Sequence, residues 1–264
     1  MDRSNLFAPD TFSGKCAIIA GGGGDFALAI ALGFARGGIK KIALLDNDDA
    51  LEKAATLLKK EGAHAIKVAV DLSNEEALQE AIKSLYLKGG EIWDILVTAS
   101  GLFIGSLLVD SKLEDLERLM QINALAVLEI SKLIAKGMIE RRYGKIIHLG
   151  SSATYFGTPG SGIYAASKVV VNQLTQTMAV EWGPHNIQVN TVCPTVADTK
   201  FLRFVEGNAR HAELREKVKE RMPLKRLLKV EDVAPIVLFL ASDGSQLING
   251  AIIPVDGGSR LLST

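Results

Sequence analysis

Short apolar runs alternate with longer amphipathic ones along nearly the whole chain. Lys15–Ala20 is apolar and stops at four glycines, and Phe26–Arg36 follows with an almost continuous apolar helical face. The pattern then predicts strands at Lys41–Leu45, Ala65–Val70, Ile92–Thr98, Gly144–Leu149, Ile187–Val192 and Ala251–Val255. Between them it predicts helices at Asp49–Glu61, Asn74–Lys88, Leu113–Met138, Tyr164–Trp182, Phe201–Arg221 and Val230–Ala241. Ser73, with Glu76 three residues later, has the form of a capping box for the Asn74 helix. Strand and helix in strict alternation, with strands apolar throughout, imply a doubly wound parallel β-sheet with helices on both faces, an α/β fold of Rossmann type. No repeat or linker interrupts the pattern, so residues 1–264 are expected to form one domain.

Composition narrows the function classes. The chain carries 30 basic and 30 acidic residues, net charge +0, which gives no electrostatic case for nucleic acid or an anionic membrane. Its most charged stretch, Glu213 to Lys219, mixes both signs as a solvated helix face does. No apolar run approaches the roughly 18 residues of a membrane span, and Met1–Asp10 lacks the apolar core of a signal peptide. Cys16 and Cys193 are far apart and have no metal-ligand spacing, so reduced thiols, no metal and a cytoplasmic location are expected.

The turn after the first strand reads Ala20-Gly21-Gly22-Gly23-Gly24-Asp25-Phe26-Ala27. Glycines at a strand-to-helix turn let backbone approach a pyrophosphate, and the helix N-terminus presents free N–H groups to it. Asp46, at the end of the second strand, is an acid about 20 residues further on. A carboxylate there accepts hydrogen bonds from adenosine ribose hydroxyls and repels a 2′-phosphate, which favours NAD over NADP. Its other reading is a helix cap opening the Asp46-Asn47-Asp48-Asp49 turn.

Tyr164 and Lys168 are four residues apart on a predicted helix and therefore share a face. An isolated phenol has a pKa of about 10, and a nearby ammonium is expected to lower it towards the range of a working acid or base. A fall of about 3 units corresponds to roughly 4 kcal/mol. Ser151 lies just after the fifth strand, where ligands meet the carboxyl ends of a parallel sheet. Alone, Tyr-x-x-x-Lys also fits a half-buried helix face with a snorkelling lysine; the glycine turn upstream tips it towards chemistry.

These motifs, in this order, resemble the short-chain dehydrogenase/reductase family in its compact single-domain branch. The resemblance runs from about Phe12 to Gly258, through the glycine turn, Asp46, Asp71, Asn123 in Met120-Gln121-Ile122-Asn123-Ala124, Ser151, Tyr164, Lys168, Asn190-Thr191-Val192-Cys193-Pro194 and Val255-Asp256-Gly257-Gly258. It implies an oxidoreductase moving a hydride between NAD(H) and a secondary alcohol or ketone, of sugar, polyol, hydroxy-acid or 3-oxoacyl type. It implies Tyr164 as general acid/base, Lys168 on the nicotinamide ribose, Ser151 on the substrate oxygen, and Asn123 kinking its helix and holding a relay water. It places Gly21, Gly23, Gly24, Asp25 and Phe26 at the pyrophosphate, and Asp71 and Leu72 beside the adenine. Ala99, Ser100, Gly101, Pro194, Val196 and Thr199 complete the cofactor groove, and a homotetramer is the family's usual assembly. The alternative is a non-catalytic dinucleotide sensor on the same fold.

The chain departs from the family at several points. Ala20, Asp25 and Ala27 replace Thr, Gly and Gly of the usual turn, and Asp25 puts a carboxylate near the expected pyrophosphate unless it serves the helix start instead. Thr98-Ala99-Ser100-Gly101 replaces Asn-Asn-Ala-Gly, and Pro194-Thr195 replaces Pro-Gly. His148 replaces a common Asn and is either a substrate contact or a structural strand histidine. Residues 199–223 stand where the family has its substrate lid; Phe201, Leu202, Phe204, Arg203 and Arg210 fall there, the arginines being anion contacts or a solvated face.

Overall fold

The computed structural model describes residues 7–89, 92–197, 199, 216, 219, 220 and 222–261. Apart from Glu216, Lys219 and Glu220, which are helical, the expected helix at Phe201–Arg221, and with it Phe201, Leu202, Arg203, Phe204 and Arg210, lies outside the described residues. The described strands are β1 (Cys16–Ala20), β2 (Lys41–Asp46), β3 (His64–Ala69), β4 (Ile95–Thr98), β5 (Gly144–Leu149), β6 (Ile187–Pro194) and β7 (Ile252–Val255). They form one sheet in the order β3-β2-β1-β4-β5-β6-β7, and every neighbouring pair is parallel. The chain winds outward from β1 through β2 to β3, then returns to place β4 on the other side of β1. That reversal opens a crevice beyond the carboxyl ends of β1 and β4, where parallel sheets bind ligands.

The helices are α1 (Asp25–Arg36), α2 (Asp48–Lys60), α3 (Glu75–Gly89), α4 (Leu113–Met120), α5 (Ala126–Arg141), α6 (Gly162–Trp182) and α7 (Val230–Ala241). Successive strand residues point to opposite faces, and the core divides accordingly. Ile19, Ile147 and Leu149 pack with Ile30 and Phe34 of α1, Leu51 of α2 and Val237 of α7. Ile18, Leu96 and Ile146 pack with Ile82 of α3, Ile130 and Ile134 of α5 and Met178 of α6. No helix among the described residues is long and apolar enough to cross a membrane.

Three local expectations need correction. Ser73 does not cap α3: Asn74 does, its Oδ1 accepting from the Ala77 N–H at 3.0 Å, while Ser73 donates to Asp71 Oδ1 through both N–H and hydroxyl. An Asx turn has claimed the residue one place too early for a cap. The fourth strand starts at Ile95 rather than Ile92, because Asp94 turns its carboxylate inward to the Cys16 N–H at 2.9 Å and to Arg141 at 3.1 Å. The single long helix from Leu113 is interrupted by a π turn at Gln121–Leu125, and α5 continues to Arg141.

Phe34 is fully buried on α1 and meets Phe12 edge to face, 5.2 Å between centroids. Phe34→Ala is expected to cost about 3–5 kcal/mol, read as a lower urea midpoint at unchanged slope.

Candidate active site

The glycine turn is shaped by a close approach of two backbones. Gly21 has φ +79°, and a Cβ there would lie 2.4 Å from the Ser100 backbone nitrogen. Only glycine satisfies both the left-handed angle and the contact. The turn is then tied to β2: Asp46 Oδ2 accepts from the Gly23 N–H at 2.9 Å, and Oδ1 accepts from the Asn47 N–H at 2.8 Å. Asn47, not Asp46, occupies the N-cap position of α2, so the reading of Asp46 as the helix cap does not hold. Asp25 is the first residue of α1, after Gly24 at the N-cap, where the helix dipole favours an acid. Phe26 turns its ring towards the core on that face of the sheet.

This edge fits a dinucleotide on its own geometry. The first-turn N–H groups of a helix have no acceptor within it, and here they follow a turn with no side chain in the way. Ser100 Oγ is buried beside that turn without a hydrogen-bond partner among the described residues, an open polar atom that a ligand group would satisfy. Further along, a cleft of about 530 Å³ is lined by Asn47, Asp71, Ser73, Gln121 and Ile122, with Glu114, Glu117 and Arg118 from α4. Asp71 is held below the usual carboxylate range by its bonds to Ser73. Leu72 is buried in the core shared with α3. The carboxyl end of β6 supplies Pro194, half-exposed Val196 and Thr199, whose N–H donates to the Ala197 carbonyl. The cleft's Asn47, Glu114, Glu117, Arg118, Gln121 and Ile122 were not named as site residues from the sequence; Gln121 and Ile122 lie within the Asn123 motif, and that was the available signal.

The candidate catalytic residues converge next to the same edge. Asn123 is fully buried in the π turn. Its Oδ1 accepts from the Leu102 N–H at 2.8 Å, and its Nδ2 donates to the Leu102 carbonyl and to Ser167 Oγ, both at 2.9 Å. Lys168 is buried and donates from Nζ to the Leu149 carbonyl at 3.0 Å. Gly101 sits between these groups: a Cβ there would lie 3.3 Å from Lys168 Nζ and 3.7 Å from Asn123 Oδ1. Ser151 is extended, opens the short turn after β5 and accepts from the Ala153 N–H at 3.2 Å. Thr154 and Asn172 brace that turn, through Thr154 Oγ1 to the Ser151 carbonyl at 2.8 Å and Asn172 Nδ2 to Thr154 Oγ1 at 3.1 Å.

The electrostatics correct one expectation. Burial pushes the Tyr164 phenol up, a hydrogen bond with Ser151 pulls it partly back, and Lys168 is not among the causes. Lys168 is itself lowered to about 8 by burial. Desolvation dominates at both groups, and Lys168 Nζ is directed at a backbone carbonyl. Cys193, buried below Gly150, is raised to about 11, mainly by burial. Tyr155 is likewise raised to about 12 by burial and donates to the Ile252 carbonyl at 3.0 Å.

His148 belongs to the scaffold. It is fully buried in β5, in register with Thr98 of β4 and Thr191 of β6. Nδ1 is 2.8 Å from Thr98 Oγ1, and Nε2 has no partner among the described residues. Burial, and secondarily the Lys168 charge, lower its pKa to about 3. A depressed folded pKa means that the unfolded chain takes up the proton first on acidification. Stability is therefore expected to fall as the pH drops from the ordinary value of 6.5 towards about 3. His148→Asn should remove that part of the slope, measured by denaturant titration across this range.

Known proteins share the sequence and the fold. Residues 25–260 match the family model described as enoyl-(acyl carrier protein) reductase. The chain is 33% identical over 248 residues to the 3-oxoacyl-[acyl-carrier-protein] reductase FabG of Thermotoga maritima, covering 93% of this chain and 97% of that protein. A gluconate 5-dehydrogenase from Burkholderia cenocepacia, solved with NADP and tartrate, superposes with a TM-score of 0.87 at 30% identity, covering 96% of this chain and 99% of that one. A xylitol dehydrogenase solved with NAD+ bound also superposes at 0.87, with 29% identity and coverage of 94% and 99%. With the glycine turn, the parallel sheet and the Ser151, Tyr164 and Lys168 cluster in place, the chain belongs to the short-chain dehydrogenase/reductase family, whose nicotinamide-dependent oxidoreductases act on alcohols and ketones.

Proposed function

We propose that this oxidoreductase uses NAD(H) in preference to NADP(H), with Tyr164 as the proton donor and acceptor and Ser151, Lys168 and Asn123 as its partners. The observation that carries the reading is the meeting of two features at one sheet edge: a glycine turn bonded to Asp46, and Tyr164 and buried Lys168 one turn apart on α6, with Ser151 opening the turn after β5. The nicotinamide supplies or takes the hydride. In reduction the Tyr164 hydroxyl gives its proton to the substrate oxygen as hydride reaches the carbon; oxidation runs the same transfers backwards. Ser151 donates to the substrate oxygen and stabilises the charge that develops there. Lys168 would bind the nicotinamide ribose, and Asn123 holds the helix that positions it.

NAD preference rests on charge. Asp46 is followed by Asn47, Asp48 and Asp49, with no cation among them, and a 2′-phosphate placed there meets a carboxylate. Gly21, Gly23, Gly24, Asp25 and Phe26 would surround the pyrophosphate, the glycines by leaving its approach clear of side chains and the start of α1 by its first-turn N–H groups. Asp71 and Leu72 would flank the adenine, and Ala99, Ser100, Gly101, Pro194, Val196 and Thr199 would line the rest of the groove. A cytoplasmic homotetramer fits this reading; Val169 and Val180 leave apolar surface exposed on α6.

Tyr164→Phe is expected to abolish turnover while leaving NADH affinity, followed by fluorescence titration, within a few-fold of wild type. Wild-type turnover in that variant would exclude Tyr164 as the acid/base. Asp46→Ala is expected to narrow the ratio of NADH to NADPH affinity; an unchanged ratio would restrict Asp46 to bracing the turn.

A further inference from the structure

The segments that surround Tyr164 are unusually poor in charge. In a chain that is 23% charged, residues 99–109, 146–167 and 187–197 contain no Asp, Glu, Lys or Arg. These segments include the loops that leave the carboxyl ends of β4, β5 and β6, the edge where the chemistry is placed. Burial does not account for the whole pattern, since Tyr155, Phe156 and Val196 each remain 39% exposed. The one titratable base within them, His148, is buried and bonded to Thr98. Charges that do come near are already engaged. Lys168 Nζ donates to the Leu149 carbonyl, and Arg260 lies 5.5 Å from the centre of the Tyr155 ring and 3.7 Å from Asp256.

Within this uncharged surround one aromatic ring touches the proposed acid/base. Phe103, in the loop after β4, packs edge to face on Tyr164, 5.0 Å between centroids at 70°. That loop is anchored to the segment before α6: the Ser106 N–H donates to the Gly160 carbonyl at 3.0 Å. Gly105 leaves room for the ring, since a Cβ there would lie 3.1 Å from Phe103 Cε1. Phe103 is only partly buried, so its ring has surface left for a ligand.

We propose that Phe103 is a specificity-determining residue, and that the substrate is an uncharged ketone or secondary alcohol whose alkyl or aryl substituent packs on the Phe103 ring next to the reacting carbon. This rests on the oxidoreductase reading of the same site and narrows its substrate class. A carboxylate or phosphate drawn to that position gives up water and finds no cation among the described residues of these segments to offset the cost. A hydroxyl set directly against the Phe103 ring loses hydrogen bonds in the same way. An alkyl or aryl group gains apolar contact with the ring and loses nothing.

The test is a steady-state comparison of two probes, methyl butyl ketone and the keto acid of the same carbon count with a carboxylate in place of the terminal methyl. Wild type is expected to favour the neutral ketone in kcat/KM by about tenfold or more. Phe103→Ala should lower kcat/KM for the neutral ketone by about tenfold, mainly through KM, and shrink the ratio between the probes. Phe103→Leu should restore most of the ratio, and NADH affinity should stay within about twofold of wild type in both variants if the ring serves the substrate alone. A purely structural role for the ring would lower both probes equally and leave the ratio unchanged, which would overturn the proposal. Turnover that favours the keto acid would overturn it as well, leaving the oxidoreductase reading intact. Cofactor binding with no turnover of either probe, or of any other ketone or alcohol, would overturn both readings.

Discussion

The amide of Asn123, with no solvent exposure, makes three hydrogen bonds to two other segments, the Leu102 backbone after β4 and the Ser167 hydroxyl on α6. A regular helix from Leu113 onward is continuous in its own hydrogen bonds and has no reason to present an amide to the neighbouring loop. The π turn at Gln121–Leu125 adds one residue to a turn and changes that direction. Through it the loop carrying Gly101 and Phe103, the helix carrying Tyr164 and Lys168, and the α4–α5 segment are held in one arrangement. Every polar atom of the amide is buried, so losing any one partner leaves an unsatisfied group; the arrangement is cooperative for that reason.

A second tie sits at the other end of the crevice. Asp46 holds the Gly23 N–H and the Asn47 N–H with its two oxygens, so the carboxylate that would read the ribose also fixes the turn that would hold the pyrophosphate. The substitution of Asp25 into that turn is accommodated because Gly24 takes the N-cap position and the acid falls in the first turn of α1. Between the two ties lies a desolvated strip. His148, Lys168 and Cys193 are all shifted towards their neutral forms by burial. In such a strip the ionic state of Tyr164 depends on what enters, because the protein alone leaves the phenol raised.

Much of this was legible in the sequence, and the reason is periodicity. Strand β5 matched its expected bounds, and α7 did as well, because each is an apolar run with sharp polar ends. The parallel sheet followed from alternation, and the glycine turn, Asp46, Ser151, Tyr164 and Lys168 could be named because each holds a position relative to a strand end. Local competition was harder to read. Ser73 and Asn74 are both good caps by type, and only the Asx turn at Asp71 decided between them. Trp93 and Asp94 look like strand residues until Asp94 is seen turned towards Arg141.

The sequence by itself determined the order of elements, the class of chemistry and the residue types that carry it, since these depend on spacing along the chain. Only the tertiary structure decided which face each group meets. It set Lys168 against the Leu149 carbonyl, His148 against Thr98, the Asn123 amide against Leu102 and the Phe103 ring against Tyr164. Each of these contacts joins residues from different strands or helices, and each owes its energy to the exclusion of water. Neither property is written in local periodicity; both exist only once the sheet has closed over its two layers of helices.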